Sequence, residues 1–184
     1  MTKKIIITVL SILLFAGVVV GGYFGYKKLS EKNPPDTGTL GTGQKGDYKD
    51  FTVTDVNGKE VKLSDFIGKP IVINFWASWC GPCRSELPAF DKVAKENEGQ
   101  VHFLMVNLLS GETETKVKKF VQKENYSFPL YFDNTGTAAS TYNVSSIPVT
   151  VFIDAQGKVR KSQVGAMSEI VLKSYVAELL KQGG

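Results

Sequence analysis

The sequence predicts an α/β fold, a mixed β-sheet flanked by helices and preceded by a single transmembrane helix. Three observations carry this expectation. Near-continuous apolar runs of strand length recur as I-V-I-N-F-W (71–76), V-H-F-L-M-V (101–106) and P-V-T-V-F-I-D (148–154), the pattern of strands covered on both faces. They alternate with segments of helical period, and the chain then closes on a hairpin and a helix, which adds an antiparallel pair to the sheet. Ahead of all of them stands an uncharged run of 22 residues, Ile5 to Tyr26.

That run is long enough, at about 1.5 Å per helical residue, to cross a hydrocarbon core of about 30 Å. Lys3 and Lys4 precede it and Lys27 and Lys28 follow, with Tyr23 and Tyr26 placed for the interface. A cleaved signal peptide is the competing reading, but its apolar region is ordinarily shorter and ends in an A-x-A-like site that this stretch lacks. Residues 1–29 are therefore expected to be an uncleaved signal anchor. Lysines on both sides leave its orientation open, because the positive-inside rule needs an asymmetry. Residues 30–47, rich in Pro, Gly and Thr without an apolar period, are expected to be a flexible linker, and residues 48–184 the globular domain.

In the domain, Asn57-Gly58 sits between two alternating runs and predicts an N-terminal β-hairpin. Ser64 to Phe66 suggests a helical turn, followed by the first buried strand. From Cys80 a helix is expected through Glu96, with Leu87, Phe90, Val93 and Ala94 inward and a kink at Pro88. After the strand at 101–106, Thr113 to Lys123 reads as an amphipathic helix with Val117, Phe120 and Val121 inward. Pro129 to Phe132 is a short strand and Thr137 to Tyr142 a short helix. Two strands (148–154 and 159–164) flank the turn Asp154-Ala155-Gln156-Gly157. Ser168 caps a closing helix that offers Ile170, Val171, Leu172, Tyr175, Val176 and Leu179 for burial.

Composition narrows the function. The net charge is +4; residues 1–47 hold six Lys against three acids, whereas the remainder holds sixteen Lys and Arg against fifteen acids. A near-balanced domain gives nucleic-acid binding no electrostatic support. The two cysteines, Cys80 and Cys83, stand in W-C-G-P-C, and the one histidine, His102, lies inside an apolar run. A zinc site needs a second pair of ligands, so no metal is expected. A structural disulfide here would close only a tiny loop and stabilise little. Electron exchange is the remaining use. A strand that enters W-C-G-P-C and leaves as a helix puts Cys80 at a helix N-terminus, where free N–H groups and the dipole favour thiolate over thiol. Cys80 is then the exposed nucleophile, and Cys83 is spaced to attack a mixed disulfide formed there. Gly81 admits a partner backbone, and Pro82 supplies an early helical φ without an idle N–H.

F-W-A-S-W-C-G-P-C-R (75–84) resembles the active site of thioredoxins, and S-S-I-P-V-T-V-F-I-D (145–154) resembles the segment that holds their cis-proline. The resemblance implies a thioredoxin fold, a cis bond at Pro148, and peptide pairing by the backbone of Ile147 beside the disulfide. Trp79 would shape the substrate-facing surface, whereas Phe75 and Trp76 are core. The anchor, the N-G hairpin, W-C-G-P-C-R-S-E-L-P and the extra helix at 113–123, an insertion in the fold, are together similar to membrane-anchored thioredoxin-like proteins of the TlpA/ResA type. The likeness covers Tyr48 to about Leu180. One departure bears on chemistry: where cytosolic thioredoxins place a buried Asp six residues before the first cysteine, this chain has Asn74, which cannot take a proton. Glu86, three residues after Cys83 on the same helix, matches an acid lining the site in the ResA-like group and is the candidate to tune the pair; the plain alternative is a solvated helix glutamate.

The resemblance further implies a cell-membrane, single-pass thiol–disulfide oxidoreductase with its catalytic domain on the extracytoplasmic side, acting mainly as a reductant. It needs no cofactor beyond the redox-active Cys80–Cys83 disulfide. Implied substrates are extracytoplasmic disulfide proteins: apocytochrome c (cytochrome c maturation), a sulfoxide reductase or a copper-site protein. The implied electron donor is a membrane thiol transporter of the CcdA/DsbD type. Two alternatives stand beside it. A thiol peroxidase of the redoxin group would place its nucleophile in T-x-x-C, and a metal-delivery module like the Sco copper chaperones would use C-x-x-x-C, one residue longer than the spacing here.

Overall fold

The computed structural model describes residues 46–182. The expected transmembrane helix (1–29) and the linker through residue 45 lie outside the described residues. Among the described residues no helix is long and apolar enough to cross a membrane.

An eight-stranded mixed sheet is ordered β1-β8-β7-β4-β5-β6-β2-β3. In chain order the strands are β1 (Gly46–Asp47), β2 (Thr52–Asp55), β3 (Glu60–Lys62), β4 (Ile71–Trp76), β5 (His102–Asn107), β6 (Leu130–Phe132), β7 (Val149–Ile153) and β8 (Lys158–Val164). The helices are α1 (Gly81–Glu96), α2 (Glu114–Lys123), α3 (Thr137–Thr141) and α4 (Glu169–Gln182), with a 3₁₀ turn at Leu63–Phe66. β4 is central, parallel to β5 and antiparallel to β7, and every one of its residues is buried. Burial on both faces is why its sequence is continuous in apolar residues instead of alternating.

Successive side chains of β4 serve opposite faces. Val72 and Trp76 join Leu87, Phe90 and Val93 of α1 and Leu172, Val176 and Leu179 of α4 in one core. Ile71, Ile73 and Phe75 join Phe51, Leu63, Leu104, Val151 and Tyr142 in the other. Each fully buried large side chain contributes about 1.5–3 kcal/mol relative to exposure. Helix α1 runs through Pro88, whose ring is exposed while its neighbour Leu87 is fully buried.

The Asn57-Gly58 hairpin forms as expected. Asp55 Oδ1 accepts hydrogen bonds from Asn57 N (2.8 Å) and Lys59 N (2.9 Å), and Gly58 takes the left-handed φ of +79°. The hairpin joins the sheet through β6. At the opposite edge, Gly46 and Asp47 pair with Val159 and Lys158 of β8, so the sheet takes in the last two residues of the expected linker. Gly157, at φ +80°, packs so closely on Tyr48 that a Cβ there would lie 2.7 Å from the ring.

One burial expectation fails. Ile170 is 82% exposed, although it belongs to the apolar set of α4. Leu172, Val176 and Leu179 recur at i, i+4 and i+7 and face the sheet; Ile170, two residues before Leu172, lies about 200° round the helix from it.

Candidate active site

The site grows from the end of β4. The chain turns through Ala77–Trp79, with Cys80 N donating to Ala77 O at 3.2 Å, and enters α1 at Gly81. Cys80 is the N-cap, its Sγ accepting from Cys83 N at 3.2 Å. A sulfur in that position faces the unpaired N–H groups of the first helical turn, and they stabilise negative charge on it. Cys80 and Cys83 are joined as a disulfide. Their exposures differ: Cys80 keeps 5% and Cys83 none.

Opposite the pair, the Ile147–Pro148 peptide is cis, and the Ile147 carbonyl oxygen lies 3.8 Å from Cys80 Sγ. Ile147 is half-buried and Pro148 buried. Trp79 is 54% exposed, with its indole Nε1 donating to Ser110 O at 2.6 Å. Gly81 and Pro82 are exposed, and a Cβ on Gly81 would meet nothing within 4 Å. The structure therefore gathers Trp79, Cys80, Gly81, Pro82, Cys83, Ile147 and Pro148 at one end of the sheet. A groove of about 370 Å³ opens beside them, lined by Gly81, Arg84, Ser85, Phe120, Glu124 and Tyr126, the last three from α2 and the loop after it.

Glu86 is not a solvated helix glutamate: it is 1% exposed. Its Oε1 accepts from Asn74 Nδ2 (2.8 Å) and its Oε2 from Met167 N (2.9 Å). Burial pushes its carboxyl up to about 7, against the opposing pull of those two hydrogen bonds. Asn74 Nδ2 also donates to Thr150 Oγ1 at 3.0 Å, while Asn74 Oδ1 is buried without a partner among the described residues. A carboxyl that titrates near neutrality one helical turn beyond Cys83 can release or take a proton at working pH.

Sequence reasoning missed Thr150, Met167, Asn107, Ser110 and Glu112. Thr150 had a signal, a lone hydroxyl within an apolar strand, and it stands directly opposite Asn74 in the β4–β7 register. Asn107, an amide closing an apolar run, had a similar one. Met167 and Ser110 act through backbone groups and carry no residue-level signal. His102 opens β5, as its place in the apolar run suggests, and its ring packs edge-on against Phe66 at 5.3 Å between centroids. Burial, then the nearby Lys69, lower its pKa. Among the described residues no cluster of three or more His, Cys, Asp or Glu is placed to hold a metal ion.

The profile of the AhpC/TSA family matches residues 45–162. The thioredoxin-like protein YneN of Bacillus subtilis is 34% identical over 170 residues, spanning 92% of this chain and 94% of that protein. The thiol-disulfide oxidoreductase ResA of the same organism is 36% identical over 138 residues, 74% of this chain and 75% of its own. Among solved structures, a thiol:disulfide interchange protein DsbE from Chlorobium tepidum superposes with a TM-score of 0.68 at 31% identity, covering 74% of this chain and 98% of that one. StoA from Bacillus subtilis gives 0.62 at 26% identity, over 70% and 96%. With its cysteine pair at the helix start of a thioredoxin-fold sheet, the chain belongs to the AhpC/TSA family and is a thiol–disulfide oxidoreductase of the ResA and DsbE type.

Proposed function

We propose that the protein is an extracytoplasmic, membrane-tethered reductase of protein disulfides. One observation carries the chemistry: Cys80 retains access to solvent beside the Ile147 carbonyl while Cys83 has none. An incoming disulfide can therefore meet only Cys80. In the reduced protein the Cys80 thiolate attacks one substrate sulfur and forms a mixed disulfide; the other substrate sulfur leaves as a thiolate and takes a proton. Cys83, giving its proton to the Glu86 carboxylate, then attacks Cys80 Sγ. The first substrate sulfur leaves and is protonated in turn. Two electrons pass to the substrate with two protons, one given up by Cys83 and one from solvent in place of the proton Cys80 had already released, and the Cys80–Cys83 disulfide is restored. Trp79, Gly81 and Pro82 form the face that receives the substrate, and Ile147 offers its backbone to an extended segment beside cis-Pro148.

The uncharged run Ile5 to Tyr26 supports a single-pass anchor in residues 1–29, joined by a linker (30–47) to the catalytic domain (48–184). Placed outside the cytoplasm, the couple needs a dithiol donor, for which a membrane thiol transporter of the CcdA/DsbD type is suited. Substrates of matching chemistry are the paired cysteines of apocytochrome c, a sulfoxide reductase or a copper-site protein. The Gly-Pro spacer supports the reducing direction. It is the spacer of thioredoxin, whose potential is about −270 mV against about −120 mV for DsbA, so a couple above about −150 mV would reverse the assignment.

The decisive test is a Cys83→Ser trap in the native cell, which leaves Cys80 unable to resolve its mixed disulfides. One or a few extracytoplasmic proteins should be captured through Cys80. Capture of none, together with a double Cys→Ser variant that still complements a deletion, would end the redox reading.

A further inference from the structure

We propose that Glu112, in the loop between β5 and α2, is a positioning residue for the exchange reaction. Its carboxylate holds Ser78, and through it the adjoining Trp79, whose indole is bonded to Ser110 O in the same loop, so that the ring forms a fixed ledge beside Cys80 for a polypeptide substrate. Oε1 accepts from Ser78 N (2.8 Å) and from Asn107 Nδ2 (2.9 Å), and Oε2 accepts from Ser78 Oγ. The loop that carries Glu112 is itself pinned. Asn107 Oδ1 accepts from Leu109 N at 2.8 Å, Leu108 N donates to Trp76 O at 3.1 Å, and Leu109 takes a φ of +51°, a left-handed conformation that a bulky side chain adopts only when its surroundings impose it.

β4 and β5 are parallel and end opposite one another, Trp76 against Asn107. The two chains that leave them, one toward Cys80 and the other toward α2, are then stitched together at three points: Trp76 to Leu108, Ser78 to Glu112, and Trp79 Nε1 to Ser110 O at 2.6 Å. Ser78 is 8% exposed and Trp79 54%, so the clasp is buried at its base and open at the ring. Other carboxylates make comparable clasps elsewhere. Asp91 holds Ser127 N and Phe128 N, and Asp50 holds Ser64 N, on connections that carry no cysteine. Glu112 grips the residue two before the nucleophile. Hydrogen bonds to a carboxylate are short and strong, and their loss strands the Ser78 N–H in a buried place. A polypeptide that docks against Trp79 depends on the ring being held; a small disulfide needs only the Cys80 sulfur.

The assignment rests on the exchange reaction proposed above, and one set of rates separates the two. The full-length reduced protein is oxidised by insulin and, in parallel, by 5,5′-dithiobis(2-nitrobenzoate). Wild-type protein inert toward both would refute exchange and this assignment with it. Glu112→Ala is expected to slow the insulin reaction about tenfold and the small probe less than about threefold. Time-resolved anisotropy should gain a fast indole component in that variant, because Trp76 is fully buried and Trp79 alone is freed. Glu112→Gln, whose amide can accept both N–H bonds and donate to Ser78 Oγ, should recover most of the insulin rate. Unaltered rates, equal slowing of both oxidants, or a Gln variant as slow as the Ala variant would each overturn the proposal. Should Glu112→Ala fail to fold, Ser78→Ala decides. It removes only the hydroxyl contact, and an insulin rate within about twofold of wild type with unchanged anisotropy would overturn the assignment.

Discussion

Replacing Glu86 with Gln should stabilise the oxidised protein in alkali and have little effect in acid. In the folded chain the carboxyl is held up to about 7 by burial, whereas its ordinary value is 4.5. Between those values the folded protein keeps a proton that the unfolded chain has lost, so stability falls as pH rises from 4.5 through about 7 and is flat beyond. The interval of about 2.5 on the pH scale, at about 1.4 kcal/mol for each, amounts to about 3 kcal/mol. Glutamine has no charge to bury. It can still accept from Met167 N, and rotation of the Asn74 amide would turn the unpaired Oδ1 toward the new amide donor and toward the Thr150 hydroxyl. Urea unfolding of the oxidised proteins, in which no thiol titrates, reads the effect directly. Wild type should lose about 3 kcal/mol between about pH 4.5 and pH 8 that the variant keeps. Parallel stability curves would refute the burial argument.

The same Glu86→Gln variant, with Cys83 intact, should slow resolution of a preformed mixed disulfide by about a hundredfold or more, the range of a lost general base, as quenched-flow measurement would show. Asp91→Ala should cost about 2–4 kcal/mol in chemical denaturation, because Ser127 N and Phe128 N lose their acceptor and Lys95 its partner. Burial raises the Asp91 pKa, but the hydrogen bonds from Lys95 and the Ser127 and Phe128 backbone outweigh it and hold the group below 3.8. Its stabilisation is thus present above that value and lost as pH falls, and the gap between variant and wild type should narrow in acid. Gly157→Ala should cost about 1–3 kcal/mol, since it meets both a left-handed φ and the Tyr48 ring; a thermal midpoint equal to wild type would contradict the packing.

What could be read from residues alone follows from how local each determinant is. The β4 run and the Asn57-Gly58 turn were legible because double-sided burial and a left-handed turn each leave a mark in a few consecutive residues. The cysteines and the helix after them were legible for the same reason. Glu86 could be picked from its spacing to Cys83, yet its burial depends on the segment at Met167 folding over it, 81 residues away. The Asn74–Thr150 contact required the β4–β7 register, and the Glu112 clasp required the common ending of β4 and β5. Ile170 misled because an apolar residue in a helix says nothing about phase until the neighbouring sheet selects a face.

The pairing of β1 with β8 has a mechanical consequence. Asp47 lies opposite Lys158 at the start of β8, Val159 pairs with Ile153, and Ile153 pairs with Ile71, the first residue of β4. Trp76, four residues before Cys80, ends that strand about 17 Å away at about 3.3 Å per residue. The chain thus joins the domain at the heel of the sheet, with the redox turn at the toe. A pull applied at Gly46 is therefore carried across the strand ladder at the heel, through β8 and β7 to the start of β4, and does not load the turn that holds Cys80.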